Sequence, residues 1–375
     1  MSSVCLAMIV KNEEKVIGRC IESFAPLVDG VVLLDTGSVD ATLKEAANTC
    51  DRLGKPLTAS SIPWQDFGHA RTELLSMLRQ QASYDLALMM DADWVLENNS
   101  PHGDDALRIL QPGEYQAWHI MIRDGGLEWP LPRITQVDHN WIYIGVVHEY
   151  LHSKEFDPDK GVTDHDPVPG LVAIHMSDGG SREGRHHRDA ELLKDLNDPR
   201  SKFYYAQSLY AIGDFENALT AYKSRASIEN AWYEEAYFSM FRAGNCAAHL
   251  NRWEEAVGLY MYAWGMREVR IEALCSAVEL WRSQKMWPLA LKFSEIATEI
   301  ARAGKGLSDR LFVEKWRWDW GAEWEHATAM AAYPEMREEA SRVFRRLLDS
   351  GEMPDPYISA TELNLQLPGM TRAGS

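Results

Sequence analysis

Seven consecutive apolar residues, Val-Cys-Leu-Ala-Met-Ile-Val, run from Val4 to Val10. A short, unbroken apolar run with no basic residues before it reads as a buried strand, and no cleavage-site pattern follows it to suggest a signal peptide. The alternation that follows predicts a helix over Glu14–Phe24, a strand over Gly30–Leu34, a helix over Ala41–Cys50 and a strand over Tyr84–Met90. This βαβα order implies a largely parallel sheet with helices on both faces. Ligands on such sheets bind at the carboxyl ends of the strands. Lys11-Asn12-Glu13, Asp35-Thr36-Gly37-Ser38 and Asp91-Ala92-Asp93 all follow strand-like runs. Each cluster taken alone is equally a cap or turn, Asp35–Ser38 above all. Together they are expected to converge on one edge of the sheet.

After about Asp195 the strand-like runs stop and helical periodicity takes over. Gly213-Asp214-Phe215-Glu216-Asn217-Ala218 is echoed by Asn251-Arg252-Trp253-Glu254-Glu255-Ala256 and by Lys285-Met286-Trp287-Pro288-Leu289-Ala290. Each copy is a turn, then an aromatic, then a small alanine. Tyr222 and Tyr260 follow the first two copies at the same offset. The spacing is close to the ~34-residue period of tetratricopeptide-type helix pairs, with a small insertion in one copy. Aromatic knobs and alanines at these offsets predict helix–helix packing, and most of the tryptophans between Trp232 and Trp324 are assigned to it rather than to sugar stacking. The expected organisation is an α/β domain over 1–190, an all-α repeat domain over 191–362 and a flexible tail over 363–375. The segment from Asp124 to Gly184, with Gly125-Gly126, Trp129, Pro130, Pro132 and Trp141, is dense in turn and aromatic residues. It is expected to shape an active-site or acceptor cleft.

Composition narrows the function classes. The chain has 375 residues, 38 basic against 56 acidic, for a net charge of −18. Bulk nucleic-acid binding is disfavoured, because phosphate contacts need a basic footprint. Five widely spaced cysteines without a CxxC argue for reduced thiols and a cytoplasmic protein rather than a disulfide framework or zinc ribbon. No apolar run is long enough to span a bilayer.

The chemistry concentrates at Asp91-Ala92-Asp93. Two carboxylates one residue apart at a strand end can both lean toward a hard divalent cation, which in turn bridges to phosphate oxygens. In this setting the pattern resembles family 2 glycosyltransferases of GT-A fold. The resemblance rests on Val10-Lys11-Asn12-Glu13-Glu14, Val28-Asp29-Gly30, Asp35-Thr36-Gly37-Ser38-Val39-Asp40 and Asp91-Ala92-Asp93. It continues through Trp64-Gln65-Asp66-Phe67-Gly68-His69-Ala70-Arg71, then Pro132-Arg133, Trp141, Gly145, Val147-His148-Glu149 and Ile174-His175. Thr72 stands where the family has Asn after its Ala-Arg, Trp94 where it often has an acid, and Thr36 where many relatives carry a second Asp. With the repeats behind it, the chain resembles the branch that includes bacterial peptide S-glycosyltransferases.

That resemblance implies an inverting transferase moving a sugar from a nucleotide-diphosphate donor, UDP favoured, to a protein or peptide. Other implied acceptors are a glycan, a lipid-linked sugar or a hydroxylated nucleobase; a catalytically inactive scaffold is the remaining reading. The donor would lie across Val10, Asn12, Glu13, Asp35, Ser38, Arg71 and Asp91. Mn²⁺ or Mg²⁺ would take Asp91, Asp93 and His175, with His148 as the alternative to His175. Glu149 would be the base, with Asp178 and Asp138 as alternatives, and Arg133 a clamp for phosphate or acceptor. Arg182–Arg188 is read as a solvated helix start that could also touch an anion. The repeats would position the acceptor and could support a homo-oligomer.

Overall fold

The computed structural model describes residues 1–110, 115–124, 127–153, 163–179, 184–309 and 311–370. Gly125-Gly126 and Arg182, singled out above, lie outside them. The chain divides into two compact units, Met1–Arg188 and Asp189–Ser375.

In the first unit, β1 (Val4–Val10), α1 (Ile17–Phe24), β2 (Gly30–Asp35), α2 (Thr42–Leu53), β3 (Leu57–Ser61), α3 (Phe67–Gln81) and β4 (Leu86–Met90) alternate as expected. α1 starts three residues later than the pattern suggested. Glu14 is drawn off to accept from the Ala41 backbone, and a turn on the Glu13 carbonyl precedes the first helical residue. Then come β5 (Trp94–Asn98), β6 (Ala117–Asp124), β7 (Leu127–Gln136), β8 (Trp141–Ile144), β9 (Tyr150–Ser153) and β10 (Thr163–His175). The eight-stranded sheet has the order β3-β2-β1-β4-β7-β6-β10-β5, and β8-β9 form a separate hairpin. The block β3-β2-β1-β4 is parallel throughout, β6 and β10 are parallel, and the other pairings are antiparallel.

Both faces of β1 are covered, which is why its apolar run does not alternate. Val4, Leu6, Met8 and Val10 enter one core with Ile17, Cys20, Ile21 and Phe24 of α1 and Ala46 and Cys50 of α2. Cys5, Ala7 and Ile9 enter the other with Ala70, Leu74, Leu75 and Leu78 of α3. The register places Val10 opposite Asp35, and Met8 opposite Met90. The three polar clusters therefore leave the sheet at the same edge.

The second unit is helical. It comprises α4 (Arg185–Leu193, which begins in the first unit), α5 (Pro199–Ala211), α6 (Phe215–Ala226), α7 (Tyr233–His249), α8 (Trp253–Met266), α9 (Glu272–Ser283), α10 (Trp287–Ala303), α11 (Ala322–Ala331), α12 (Arg337–Ser350) and α13 (Asp355–Asn364). A π-helical turn, Arg317–Gly321, leads into α11. The three sequence echoes are the turns before α6, α8 and α10. Gly213, Asn251 and Lys285 each sit in the left-handed region there, with φ of 80°, 59° and 59°. Ala218, Ala256 and Ala290 are fully buried, as the close-approach reading requires. Trp281, Trp318, Trp320 and Trp324 are buried in the helical cores, while Trp232 is exposed.

The tail expectation needs correction over residues 363–370; residues 371–375 lie outside the described residues. α13 extends to Asn364, Met370 is buried beside Trp320, Phe344 and Met353, and Arg337 Nη1 donates to the Pro368 carbonyl at 2.7 Å. Leu365 and Met370 supply apolar anchors that were not counted as core signals. All five cysteines are buried and unpaired. No helix among the described residues is long and apolar enough to cross a membrane.

Candidate active site

The site is assembled from strand ends. Beyond β1, Asn12 takes a left-handed conformation (φ 57°). Its amide donates to Ser38 Oγ at 3.0 Å, and its side-chain oxygen accepts from Val39 N at 2.9 Å. Glu13 N donates to Thr42 Oγ1 at 2.7 Å, tying this loop to the start of α2. Asp35 ends β2 and folds back on its own turn, accepting from Gly37 N, Ser38 N and Ser38 Oγ. The turn reading of Asp35–Ser38 is thus what its side chains do in this structure.

Arg71 is the centre of the second group. α3 begins at the Asp66 cap, whose carboxylate accepts from His69 N, and carries Arg71 inward until only 4% of it is exposed. Its Nη2 donates to Asp91 at 2.5 Å and its Nε to Glu149 at 2.6 Å. Nη1 is buried, with no hydrogen-bond partner among the described residues. Burial opposes the Arg71 charge, but Asp91 and Glu149 outweigh it and hold the guanidinium more firmly protonated than usual. Burial likewise pushes Asp91 up, yet Arg71 and Arg133 together hold it below the ordinary carboxylate range. Arg133 approaches the other Asp91 oxygen at 3.8 Å and lies over Trp94.

Tyr143, on β8, was not singled out from the sequence. Its ring lies 5.7 Å from the Arg71 guanidinium carbon, and burial raises its phenol. Thr72, the departure from Asn noted above, accepts from Tyr143 N at 2.9 Å and so joins α3 to the β8 strand.

The third group is Asp93, His175 and Asp124. The β10–β5 register sets His175 opposite Trp94, next to Asp93, and the β6–β10 register pairs Ile174 with Arg123, which brings Asp124 alongside. His175 Nε2 lies 3.1 Å from Asp93 and Nδ1 3.0 Å from Asp124. The bond to Asp93, with that to Asp124, raises the imidazole's pKa despite burial. Trp94 is buried and stacks on His175 at 4.7 Å, which explains an aromatic residue directly after the DxD. Gly179 passes so close that a Cβ there would lie 3.1 Å from both Asp93 Oδ2 and Glu13 Oε2. A glycine allows the chain beyond β10 to cross next to these two acids.

The structure thus gathers Asp91 with Arg71, Arg133 and Glu149, and Asp93 with His175. It does not gather a three-residue metal cage: among the described residues no group of three His, Cys, Asp or Glu is arranged to hold an ion. Asp91 faces guanidinium groups instead. The Asp93–His175 pair still suits a hard or borderline cation that takes its other ligands from water and phosphate. Asp124 holding Nδ1 leaves Nε2 as the coordinating nitrogen.

His148 sits in the turn between β8 and β9 with φ 50°. Asp178 pairs with Arg19 of α1 through two bonds of 2.7 and 2.8 Å. Asp138 follows Val137, whose N donates to Asp85 O at the opposite end of β4 from Asp91. Trp141 is also away from the site, since its indole donates to Gln136 O and its ring fills the α3-side core. Arg185, His186 and His187 are exposed at the start of α4.

No family model and no curated protein matches the chain. Among solved structures, the chain is similar to glucosyl-3-phosphoglycerate synthase from Mycobacterium tuberculosis in complex with Mn²⁺, uridine diphosphate and phosphoglyceric acid. The match has 23% identity, covers 33% of this chain and 44% of that one, and has a TM-score of 0.25. The chain therefore spans less than half the length of that enzyme. It is also similar to MamA 41-end from Desulfovibrio magneticus RS-1 (11% identity, 46% and 90% covered, TM-score 0.35). A third is YrrB, described as a TPR protein with an unusual peptide-binding site (17% identity, 48% and 79% covered, TM-score 0.34). The architecture is a GT-A, glycosyltransferase-like fold followed by a TPR-like helical array. That statement rests on strand order, strand-end chemistry and repeated helix pairs.

Proposed function

We propose that the chain is an inverting, metal-dependent glycosyltransferase that moves a sugar from a nucleotide-diphosphate donor, UDP-sugar favoured, to a protein or peptide. The observation that carries this reading is the juxtaposition, at one sheet edge, of the Asp93–His175–Asp124 chain with the Arg71-centred ion cluster.

In this reading the strand-end loops through Val10, Asn12, Glu13 and Ser38 seat the nucleotide. Asp93 and His175 would hold Mn²⁺ or Mg²⁺, which would supply positive charge to the diphosphate leaving group. Arg71 and Arg133 orient Asp91, and Arg71 Nη1, with no hydrogen-bond partner among the described residues, is a donor for the ligand. Glu149 uses one oxygen to anchor Arg71; its second oxygen takes the proton of the acceptor nucleophile. The nucleophile forms its bond to the anomeric carbon as the bond to the diphosphate oxygen breaks on the opposite face. Arg133 over Trp94 lines the clamp side.

A thermal-shift panel of UDP- and GDP-sugars, each with and without Mn²⁺, tests the reading. A ligand at 100-fold its dissociation constant stabilises by about 2.7 kcal/mol, a readily measured shift. A Mn²⁺-dependent shift with one nucleotide class is expected. No shift with any nucleotide sugar would refute the donor assignment.

A further inference from the structure

A stack of helix pairs holds each pair against its neighbours only, so its pairs can open one at a time. The connection from α10 to the π-helical turn departs from that pattern. It runs over residues 304–316 and is more than twice as long as the connections at 227–232 and 267–271, which join α6 to α7 and α8 to α9. Its described residues turn back across α9 to α7 and α5.

The path can be followed residue by residue. Gly306 passes so close to the start of α9 that a Cβ there would fall 2.3 Å from the Val269 carbonyl. Asp309 is buried and accepts from Arg267 Nη2 at 2.6 Å and from Arg270 Nη1 at 3.4 Å. Leu311 N donates to Glu234 of α7 at 2.7 Å, and the carbonyls of Leu311 and Phe312 each accept from Arg270 at 3.2 Å. At the tip, the Phe312 ring centre lies 4.7 Å from that of Phe238 on α7 and 6.3 Å from that of Phe203 on α5. Glu314 N then returns to Glu272 of α9 at 3.2 Å. The backbone of this connection is thus satisfied by side chains of two earlier helix pairs, and its one aromatic ring reaches a third.

The anchors are costly to break. Arg270 and Glu272 are fully buried and paired at 2.9 Å, so losing the connection would leave charged groups without part of their hydrogen bonding. Phe312 has φ 47°, a conformation that is unfavourable for a residue with a Cβ and persists only where the surroundings over-determine it. We propose that residues 304–316 form a strap that locks the pairs α5–α6, α7–α8 and α9–α10 into one cooperative body, with Arg270 as its clamp and Phe312 as its latch. Because the strap leaves the chain after α10 and touches α5, it couples pairs that are not neighbours in the stack. The lock is independent of the transferase reading.

The test is native-state hydrogen exchange on the full chain, read by mass spectrometry over a series of sub-denaturing urea concentrations. In the native chain the slowest amides of α5 to α10 are expected to share one opening free energy and one urea dependence. Phe312→Ala removes the ring and leaves the Arg270 clamp in place. It should split that unit, with α5 to α8 exchanging about tenfold faster while α9 and α10 keep their protection. Asp309→Asn, which weakens the hold of Arg267 and Arg270 on the strap, should give the same split. Native helix pairs that already open at separate free energies would overturn the proposal. So would a Phe312→Ala variant in which exchange rises equally from α5 to α10, since that is a contact that stabilises without locking. Should neither variant fold, the urea dependence of the native amides decides.

Discussion

Replacing Arg71 with Met would remove the cation shared by Asp91 and Glu149 while roughly keeping the side-chain bulk. The two contacts, 2.5 and 2.6 Å long, each correspond to about 6 kcal/mol of attraction at an effective dielectric of ~20. Desolvation of the three charges offsets several kcal/mol per ion, so the net cost of breaking such a buried pair is about 3–5 kcal/mol. The lower end applies here, because 31% of the Asp91 side chain and 13% of Glu149 remain exposed. The assay is urea denaturation of the full chain, followed by tryptophan fluorescence, at pH 7 and pH 5.

The pH arm carries the sign. In the native protein Asp91 is depressed, so its contribution is present above the unfolded carboxylate value and is lost only as pH falls through its lower folded value. In Arg71→Met, Asp91 keeps only the more distant Arg133, so its carboxylate favours the proton more than in the native protein, and the variant's folded state gains protons between pH 7 and 5. The stability difference should therefore shrink at pH 5. Adding Glu149→Gln to Arg71→Met should recover part of the loss. A loss below about 1 kcal/mol, or one equal at both pH values, would refute the view that Arg71 compensates these buried charges.

Other variants separate roles within and beyond the site. Asp93→Ala should abolish the Mn²⁺-dependent donor shift, and Asp124→Asn should weaken Mn²⁺ affinity by about 10- to 100-fold by loosening His175; calorimetric Mn²⁺ titration reads both. Glu149→Gln should preserve donor binding and lose transfer in a transfer assay; retained transfer would move the base elsewhere. Gly244→Ala should cost about 1–3 kcal/mol, since the new methyl must displace the Tyr260 ring, measured as a drop in melting temperature. Glu325 is pushed up to about 7, with burial as the main cause and Glu279 adding to it against Arg282. Its folded form therefore favours the proton, so native stability falls relative to Glu325→Gln as pH rises from the unfolded glutamate value through 7. Melting curves at pH 6 and 8.5 that keep a constant separation would contradict this.

Much of this architecture was legible in the residue pattern because its causes are local. Seven apolar residues at Val4–Val10 need cover on both faces, and the sheet supplies it. Turn residues at Gly213, Asn251 and Lys285, each followed by an aromatic and an alanine, encode three helix-pair corners. Asp91 and Asp93, Arg71, Glu149 and His175 could be singled out because strand-end motifs travel as short words. The order of Leu363–Met370 is not legible in the local pattern, because its anchors, Leu365 and Met370, are isolated apolar residues whose partners lie on distant helices.

Local residue order dictates the alternation of strands and helices, the place where the repeats begin, and the edge of the sheet at which polar groups collect. These follow from periodicity and chain direction over a few neighbouring residues. That Asp91 faces Arg71 and Arg133 while Asp93 faces His175 is set by long-range packing. The same packing pairs Asp124 with His175 and sets Tyr143 against Arg71. Those pairings depend on which strands become neighbours and in what register. Strand order is fixed by packing across the whole sheet, which no local run of residues contains.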